Sequence, residues 1–585
     1  MRPTPGGCRS PRAPREVVTT TVEAPDAPRR SPVRDALIRY LRSLSCVGLV
    51  FALLFFAWSM TPSLLPRPWY LQGVAAGICS ATGYLIGLGL ARLTRWLGFR
   101  PVWSERARWR GNVLFAVVTG IWVPVSLLMG AHWQEQVREL VGVRTDEQTY
   151  YGLVLGVAAV VAAGLRAVGL LLRAASRRVA AAGARFVPPR VARLTGAVVV
   201  AVLAVLVVDG ALVNGLLAVV NRLAATADRG DHPGVVRPTA PERSGSPDSR
   251  VPWESLGKEG RAFVSGGPTA AELSAFTGRP ARTPIRVYGG LSSAGSLPEV
   301  AALVVAELER TGAFDRAVLA VVTTTGTGWV DPGATEALEH VYGGDTAIAA
   351  LQYSYLPSWA AFVADRESPQ AAGSELFDQV YATWEQRPPD RRPELVVYGE
   401  SLGAYGGQAA FSGLQDMTTR TSGALWTGTP NSTRVWEELT ADRDQGTPQR
   451  LPVVDSGAAV RFADHPADLD LAAPWGGRRV VYLQHSTDPV VWWSPQLLTR
   501  RPDWLGEARA PDVSPQMTWL PAITFWQLTM DLVFSTDVPP GQGHHYGPAE
   551  TAEAWAHILE PPGWTGADTE RYRELVEARE GGEER

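Results

Sequence analysis

Residues 399–403 read Gly-Glu-Ser-Leu-Gly, a match to G-x-S-x-G with Ser401 at its centre. A serine hydroxyl can attack a carbonyl carbon if a base takes its proton and an acid orients that base. Glycine supplies 58 of the 585 residues, so the five-residue match alone can arise by chance. The flanks carry more weight. Leu395–Tyr398 has a buried-strand pattern, and the residues from Gly403 onward read as a small-residue helix. Strand, tight turn and helix hold a serine in a strained conformation that only tiny neighbours tolerate. Gly399 and Gly403 meet that demand, and Gly406 and Gly407 let the helix pack close to the sheet. The Leu402 N–H then points where an oxyanion would form. The bland alternative is a serine in a glycine-rich turn.

The acid and base must come from elsewhere. Asp488 leads as the acid, because it follows the apolar run "RRVVYLQH" in the turn "STDP". Asp-Pro ends a strand and turns the chain, which puts the carboxylate at the sheet's carboxyl edge. Asp464 and Asp531 are weaker rivals, the latter on an apolar helical stretch. Five histidines follow Ser401: His465, His485, His544, His545 and His557. His544 and His545 share the Gly/Pro-flanked loop "PPGQGHHYG", whereas His557 falls in a helical pattern and reads as structural.

A second oxyanion donor is expected among the backbone N–H groups of Thr325, Gly326 and Thr327, in "VVTTTGTGWVDP"; an ordinary glycine turn is the alternative. Trp492 and Trp493 follow Asp488 closely. Aromatic residues are normally core, and the functional reading is an apolar acyl pocket or a membrane-facing rim. The turn Gly428–Pro430 lacks the lysine of a phosphate loop, so no nucleotide site is implied. The histidines lack a plausible ligand cluster, so no metal is expected, and no cofactor is implied.

The elements that must position these residues alternate. "PIRVYGGL", "AVLAVVTTTGTG", "TAIAALQYSY", "ELVVYGES", "SGALWTGTP" and "RRVVYLQHSTDP" read as strands between helical stretches. This order argues for a mostly parallel sheet with helices on both faces. Ligands in such sheets bind at the carboxyl ends of the strands.

The preceding half is different. Five apolar stretches cover roughly residues 44–60, 71–93, 111–133, 150–172 and 194–220, and four reach the ~20 residues that a helical span needs. Asp209 and Asn214 sit in the last, where an outer-end position is the simple reading. Arginine crowds the N-terminal tail (Arg34, Arg39, Arg42) and the connections after the second and fourth stretches, while the first connection holds only Arg67 and the third is net acidic. That bias predicts a cytoplasmic N-terminus, five spans and an extracytoplasmic C-terminal half. Residues 1–43 are expected to be a basic cytoplasmic tail, 44–220 an all-α transmembrane bundle, 221–250 a linker, 251–565 the catalytic domain and 566–585 a charged tail. All three cysteines (Cys8, Cys46, Cys79) lie in the first eighty residues, which rules out disulfides and thiol chemistry beyond them. The net charge of −3 gives no nucleic-acid footprint.

"TTTGTGWVDP", "YGESLGAYGG", "LWTGTPNST", "VVYLQHSTDPVVWW" and "VPPGQGHHYG" together resemble the α/β-hydrolase superfamily. Over most of residues 40–560 the chain is similar to bacterial membrane α/β-hydrolases with a multi-span N-terminal domain. The resemblance implies the α/β-hydrolase fold for the C-terminal half and the chain order serine, acid, histidine. It also implies a pattern G-H-G-H-x-Y that aligns His544 with the second histidine, Gln542 standing where the first would be. His544 is therefore preferred as base and His545 is the alternative. The expected activity is hydrolysis of an ester or thioester of a lipid or cell-envelope acyl compound by a bilayer-bound serine esterase. An acyltransferase using the same triad is one alternative. A transport or sensor protein whose hydrolase-like domain only binds is the other.

Overall fold

A computed structural model describes residues 43–99, 103–144 and 150–583. The expected tail, with Cys8 and its arginines, lies outside the described residues apart from residue 43.

The N-terminal region is helical: α1 (Cys46–Ser59), α2 (Trp69–Trp96), α3 (Glu105–Val141), α4 (Tyr151–Gly183), α5 (Pro189–Leu206) and α6 (Asn214–Ala227). Four of these, α2 to α5, are long and apolar enough to cross a membrane. α1 has 14 residues, roughly 21 Å, short of a ~30 Å hydrocarbon core. The fifth expected span is a run in which a π-helical segment, Val207–Val213, joins α5 to α6, and Asp209 lies in that segment. α1 packs tightly on α2, because Gly83 and Gly87 of α2 meet the backbone of α1 where any side chain would clash.

The C-terminal half is built on seven parallel strands: β1 (Ile285–Gly289), β2 (Val318–Thr323), β3 (Thr346–Leu351), β4 (Glu394–Glu400), β5 (Gly423–Thr427), β6 (Val460–Ala463) and β7 (Arg479–Leu483). Their order is β1-β3-β2-β4-β5-β7-β6. The strands are apolar without alternation because both faces are covered. On one face, Val287, Val321 and Val397 pack against α7 (Leu297–Thr311) and α10 (Glu367–Glu385). On the other, Val322, Val396 and Leu425 pack against α8 (Pro332–Val341) and α13 (Pro548–Leu559). The chain leaves β2 toward β3 on one side and β4 toward β5 on the other. The crevice at this reversal is where open parallel sheets bind ligands.

Three more helices border that edge: α9 (Ser358–Ala364), α11 (Leu402–Gly407) and α12 (Ile523–Asp531). Two segments carry structure beyond what their composition suggests. The expected linker is fixed on the sheet: Ser244 N–H donates to Arg286 O, and Arg286 N–H donates to Glu242 O. A polar segment without apolar periodicity reads as a tether, yet the open edge of β1 gives its backbone partners. The expected C-terminal tail is a helix from Gly566 to Glu583, anchored by the buried Tyr572 against Phe276 and His340.

The helical region and the sheet domain share buried contacts. The connection between α1 and α2 enters the sheet domain, where Leu64 and Leu65 join its core together with Val137 and Val141 of α3. The Asp531 carboxylate, at the end of α12, accepts from Ser63 Oγ (3.1 Å) and Leu64 N–H (3.2 Å) and lies 3.7 Å from Arg67 Nε.

Candidate active site

Ser401 follows the central strand β4 with φ 54° and ψ −118°, a conformation that side chains rarely adopt. A side chain at Gly399 would overlap the Gly403 backbone, and one at Gly403 would overlap the Thr323 carbonyl. Gly407 abuts the Trp426 ring on the sheet, as expected. Gly406 instead meets the Pro369 backbone in α10, so it serves helix–helix rather than helix–sheet approach. Ser401 N–H donates to Thr427 O (2.9 Å), which ties the turn to the end of β5.

His544 Nδ1 is 2.7 Å from Asp488 Oδ2. With that hydrogen donated, the neutral ring carries its acceptor lone pair on Nε2. Asp488 is fully buried after β7, and its Oδ1 accepts from Val490 N–H (2.7 Å). The His544 ring lies against Gly428, where a side chain would collide with Cε1. Thr427 thus holds the serine turn, and the next residue makes room for the imidazole. His545 Nδ1 meets Val538 O (2.7 Å) instead and closes its own loop. Of the two adjacent histidines, His544 is the one that meets Asp488.

Several supporting groups were not singled out in the sequence. Tyr546 Oη donates to Asp488 Oδ2 (2.8 Å), and its ring stacks on His485 at 4.2 Å. His485 is buried, with Nδ1 on Gly543 O (2.8 Å) and Nε2 on Glu550 Oε2 (3.3 Å). Burial opposes a charged imidazole here, but the Glu550 carboxylate outweighs it and pushes His485 up to about 9. A charged His485 therefore braces the loop that carries His544. Beneath the serine, Tyr398 Oη lies 3.1 Å from Asp331 Oδ2 and 3.2 Å from Glu400 Oε2. One phenol hydrogen cannot serve both carboxylates. Burial first, and then Asp331, raise Glu400 well above the usual carboxylate range. The "HHYG" motif offered a signal for Tyr546, whereas nothing local pointed to His485 or Glu550.

Two of the three N–H groups expected to offer a second oxyanion donor are engaged elsewhere. Thr325 N–H donates to Trp329 O (3.0 Å), and Gly326 N–H donates to Tyr353 Oη (2.9 Å). The loop closes on itself and consumes both groups. Among the described residues, the N–H groups of Leu402 and Thr327 and the buried Thr325 hydroxyl have no partner. Trp492 is buried, wedged against Trp436 and Trp504 with its N–H on His485 O, and one edge lines a cavity with Trp493. Trp493 is half-buried and stacks toward α12 through Phe525.

The rival acids are occupied elsewhere. Asp464 accepts from Ser486 N–H (2.8 Å), and Asp531 belongs to the contact with the helical region. His465 does have acidic neighbours, because its ligand atom and those of Asp464 and Asp512 lie within 4.8 Å of one another. Asp464 is already engaged, and the trio carries no metal assignment.

The α/β-hydrolase family model matches residues 285–572, and the model of that family's N-terminus matches residues 60–268. The chain belongs to this α/β-hydrolase family. No curated protein and no solved structure matches it. Family membership supports a hydrolase-type function.

Proposed function

We propose that the protein is a membrane-anchored serine hydrolase that cleaves an acyl ester or thioester through an acyl-enzyme. Ser401 Oγ attacks the carbonyl carbon while His544 Nε2 takes its proton. Asp488 holds the ring by Nδ1 and stabilises the imidazolium. The Leu402 N–H receives the oxyanion, with Thr327 N–H or the Thr325 hydroxyl as second donor. His544 then protonates the leaving alcohol or thiol, and water releases the acyl group by the same route in reverse. The observation that carries this reading is the short His544–Asp488 bond beside a serine in a strained turn at the central strand.

A fluorophosphonate probe tests it on the full-length protein. Labelling is expected for the wild type and absent for Ser401→Ala and His544→Ala, while His545→Ala keeps most of it. Labelling that survives Ser401→Ala would falsify the assignment.

The sheet domain is proposed to lie outside the cytoplasm. The arginine-rich connections follow the second and fourth apolar stretches. The arginine-poor first connection and the end of α3 are the parts that pack into the sheet domain. A C-terminal reporter active only in the cytoplasm would overturn this side assignment.

A further inference from the structure

A cavity of about 520 Å³ is lined by Phe362, Asn431, Trp492 and Trp493 among others, and Ser401, Asp488 and His544 are not in its lining. Two features tie it to the serine's surroundings. Asn431 lies four residues beyond Thr427, whose carbonyl holds Ser401 N–H. Phe362 also packs with the cluster that contains Leu402.

The charge of this cavity is unbalanced. Four arginines line it: Arg366, Arg443, Arg500 and Arg501. Arg443 is paired with Asp503 and Glu507. Among the described residues, no carboxylate lies within ion-pair distance of Arg366, Arg500 or Arg501. Glu437 is the one lining carboxylate left unpaired. Arg501 Nε and Nη2 donate to Leu505 O, and Arg366 Nε donates to Phe362 O (3.2 Å), while Arg500 has no side-chain hydrogen bond among the described residues. The three positive charges around a concave space, with their remaining N–H groups, suit an anion.

An apolar row begins at Phe362, on whose ring the Arg366 guanidinium stacks at 4.9 Å, and leads toward the helical region. Phe362 packs on Trp493 (6.0 Å between ring centres), Trp493 on Phe525 (5.5 Å) and Phe525 on Trp526 (5.1 Å). Trp526 packs with the cluster of Phe55 in α1 and Cys79 in α2. A cationic pocket at one end of an aromatic row, with apolar helices at the other, is the layout for an amphiphile.

We propose that this cavity is the headgroup subsite for an anionic single- or double-chain acyl ester whose anion is a phosphate. Arg366, Arg500 and Arg501 bind the anion, the chain runs along the aromatic row toward α1 and α2, and the ester carbonyl reaches Ser401. The last step rests on the serine-hydrolase reading above.

The test uses full-length protein in detergent micelles with 1-oleoyl lysophosphatidic acid and its uncharged counterpart, 1-oleoylglycerol. The expected result is a higher kcat/KM for the phosphate-bearing ester. Arg500→Gln with Arg501→Gln lowers that preference about tenfold or more, as loss of charge-assisted hydrogen bonds requires. Arg391→Gln, an exposed arginine outside the cavity, leaves the preference intact. A binding arm uses the Ser401→Ala protein and follows tryptophan fluorescence during titration with the same lipid and, separately, with inorganic phosphate. Lipid binding weakened about tenfold by the double arginine change supports the subsite even if no ester is hydrolysed, in which case only the serine reading falls. Equal turnover of both esters, or binding indifferent to the arginine changes, overturns the subsite and leaves the serine reading standing. Inorganic phosphate bound as tightly as the lipid overturns the amphiphile assignment.

Discussion

Asp531→Ala should cut the connection between the helical region and the catalytic loops. The Asp531 carboxylate is fully buried and serves the Ser63 hydroxyl, the Leu64 N–H and the Arg67 guanidinium. Truncation removes the acceptor of the first two and the counter-charge of the third, and Arg67 Nε and Nη1 have no hydrogen-bond partner to compensate. Removing one member of a buried ion pair costs about 3–5 kcal/mol, most of it from the charge left behind. For a domain of this size each kcal/mol lowers the midpoint by roughly 2–4 °C, so a fall of about 10 °C is expected. The measurement is thermal unfolding of the full-length protein in micelles, followed by tryptophan fluorescence. Arg67→Met in the Asp531→Ala background should restore most of the loss, because it removes the orphaned charge. Leu65 also lies against Gly543, next to His544, so fluorophosphonate labelling should slow in the single variant and recover in the double. A single variant that melts within about 3 °C of wild type, or a double variant no better than the single, refutes the reasoning.

Tyr546→Phe removes one hydrogen bond to Asp488 and should slow fluorophosphonate labelling about tenfold without unfolding the protein; an unchanged rate assigns Tyr546 to packing. His485 is held at about 9 against an ordinary value of 6.5, so its stabilising effect is complete below pH 6.5 and lost as pH rises through about 9. The destabilisation caused by His485→Gln should therefore shrink by about 3 kcal/mol between pH 6 and pH 9.5, and a pH-independent difference contradicts the ion pair with Glu550. Gly403→Ala drives a methyl group into the Thr323 carbonyl and should abolish labelling, whereas Gly413→Ala, with open space around it, should be neutral; a fully active Gly403→Ala protein would show that the turn has slack.

Six of the seven strands were legible because each is a short apolar run closed by turn residues, and Ser401 and Asp488 sit where two such runs end; β6 has only four residues, with Arg461 among them, and was not legible. The choice between His544 and His545 was not legible from the residues themselves. Adjacent side chains in a loop diverge, and only the contact with Asp488 separates them. His485 and Glu550 lie 65 positions apart and meet only in the fold. The segments at 221–250 and 566–583 carry structure that their composition does not show. Polar composition reveals a shortage of apolar periodicity, but it hides backbone pairing with an edge strand and anchoring by the single buried ring of Tyr572. Arg67 counted only as one charge in a sparse connection, and its buried partner 464 positions later was beyond local reading.

Anchoring to a bilayer requires one helix, yet the helical region here reaches both halves of the site. Leu217 and Val220 of α6 pack with the cluster that holds Leu402, beside the nucleophile, and Leu65 packs beside the histidine loop. Leu64, Leu65, Val137 and Val141 are all at most 2% exposed within the core of the sheet domain. Fully burying one such side chain is worth about 1.5–3 kcal/mol. Four of them contribute on the order of 6–12 kcal/mol, comparable to the whole stability of a typical domain. A fragment covering residues 228–585 should therefore fail to give a stable, labelled hydrolase. Co-expression with residues 1–227 should restore labelling, since the contacts do not depend on chain continuity. The assay is fluorophosphonate labelling of the fragment alone and of the paired fragments, with limited proteolysis to score folding. A fragment that resists protease and labels at the full-length rate would show that the helical region does no more than tether the domain.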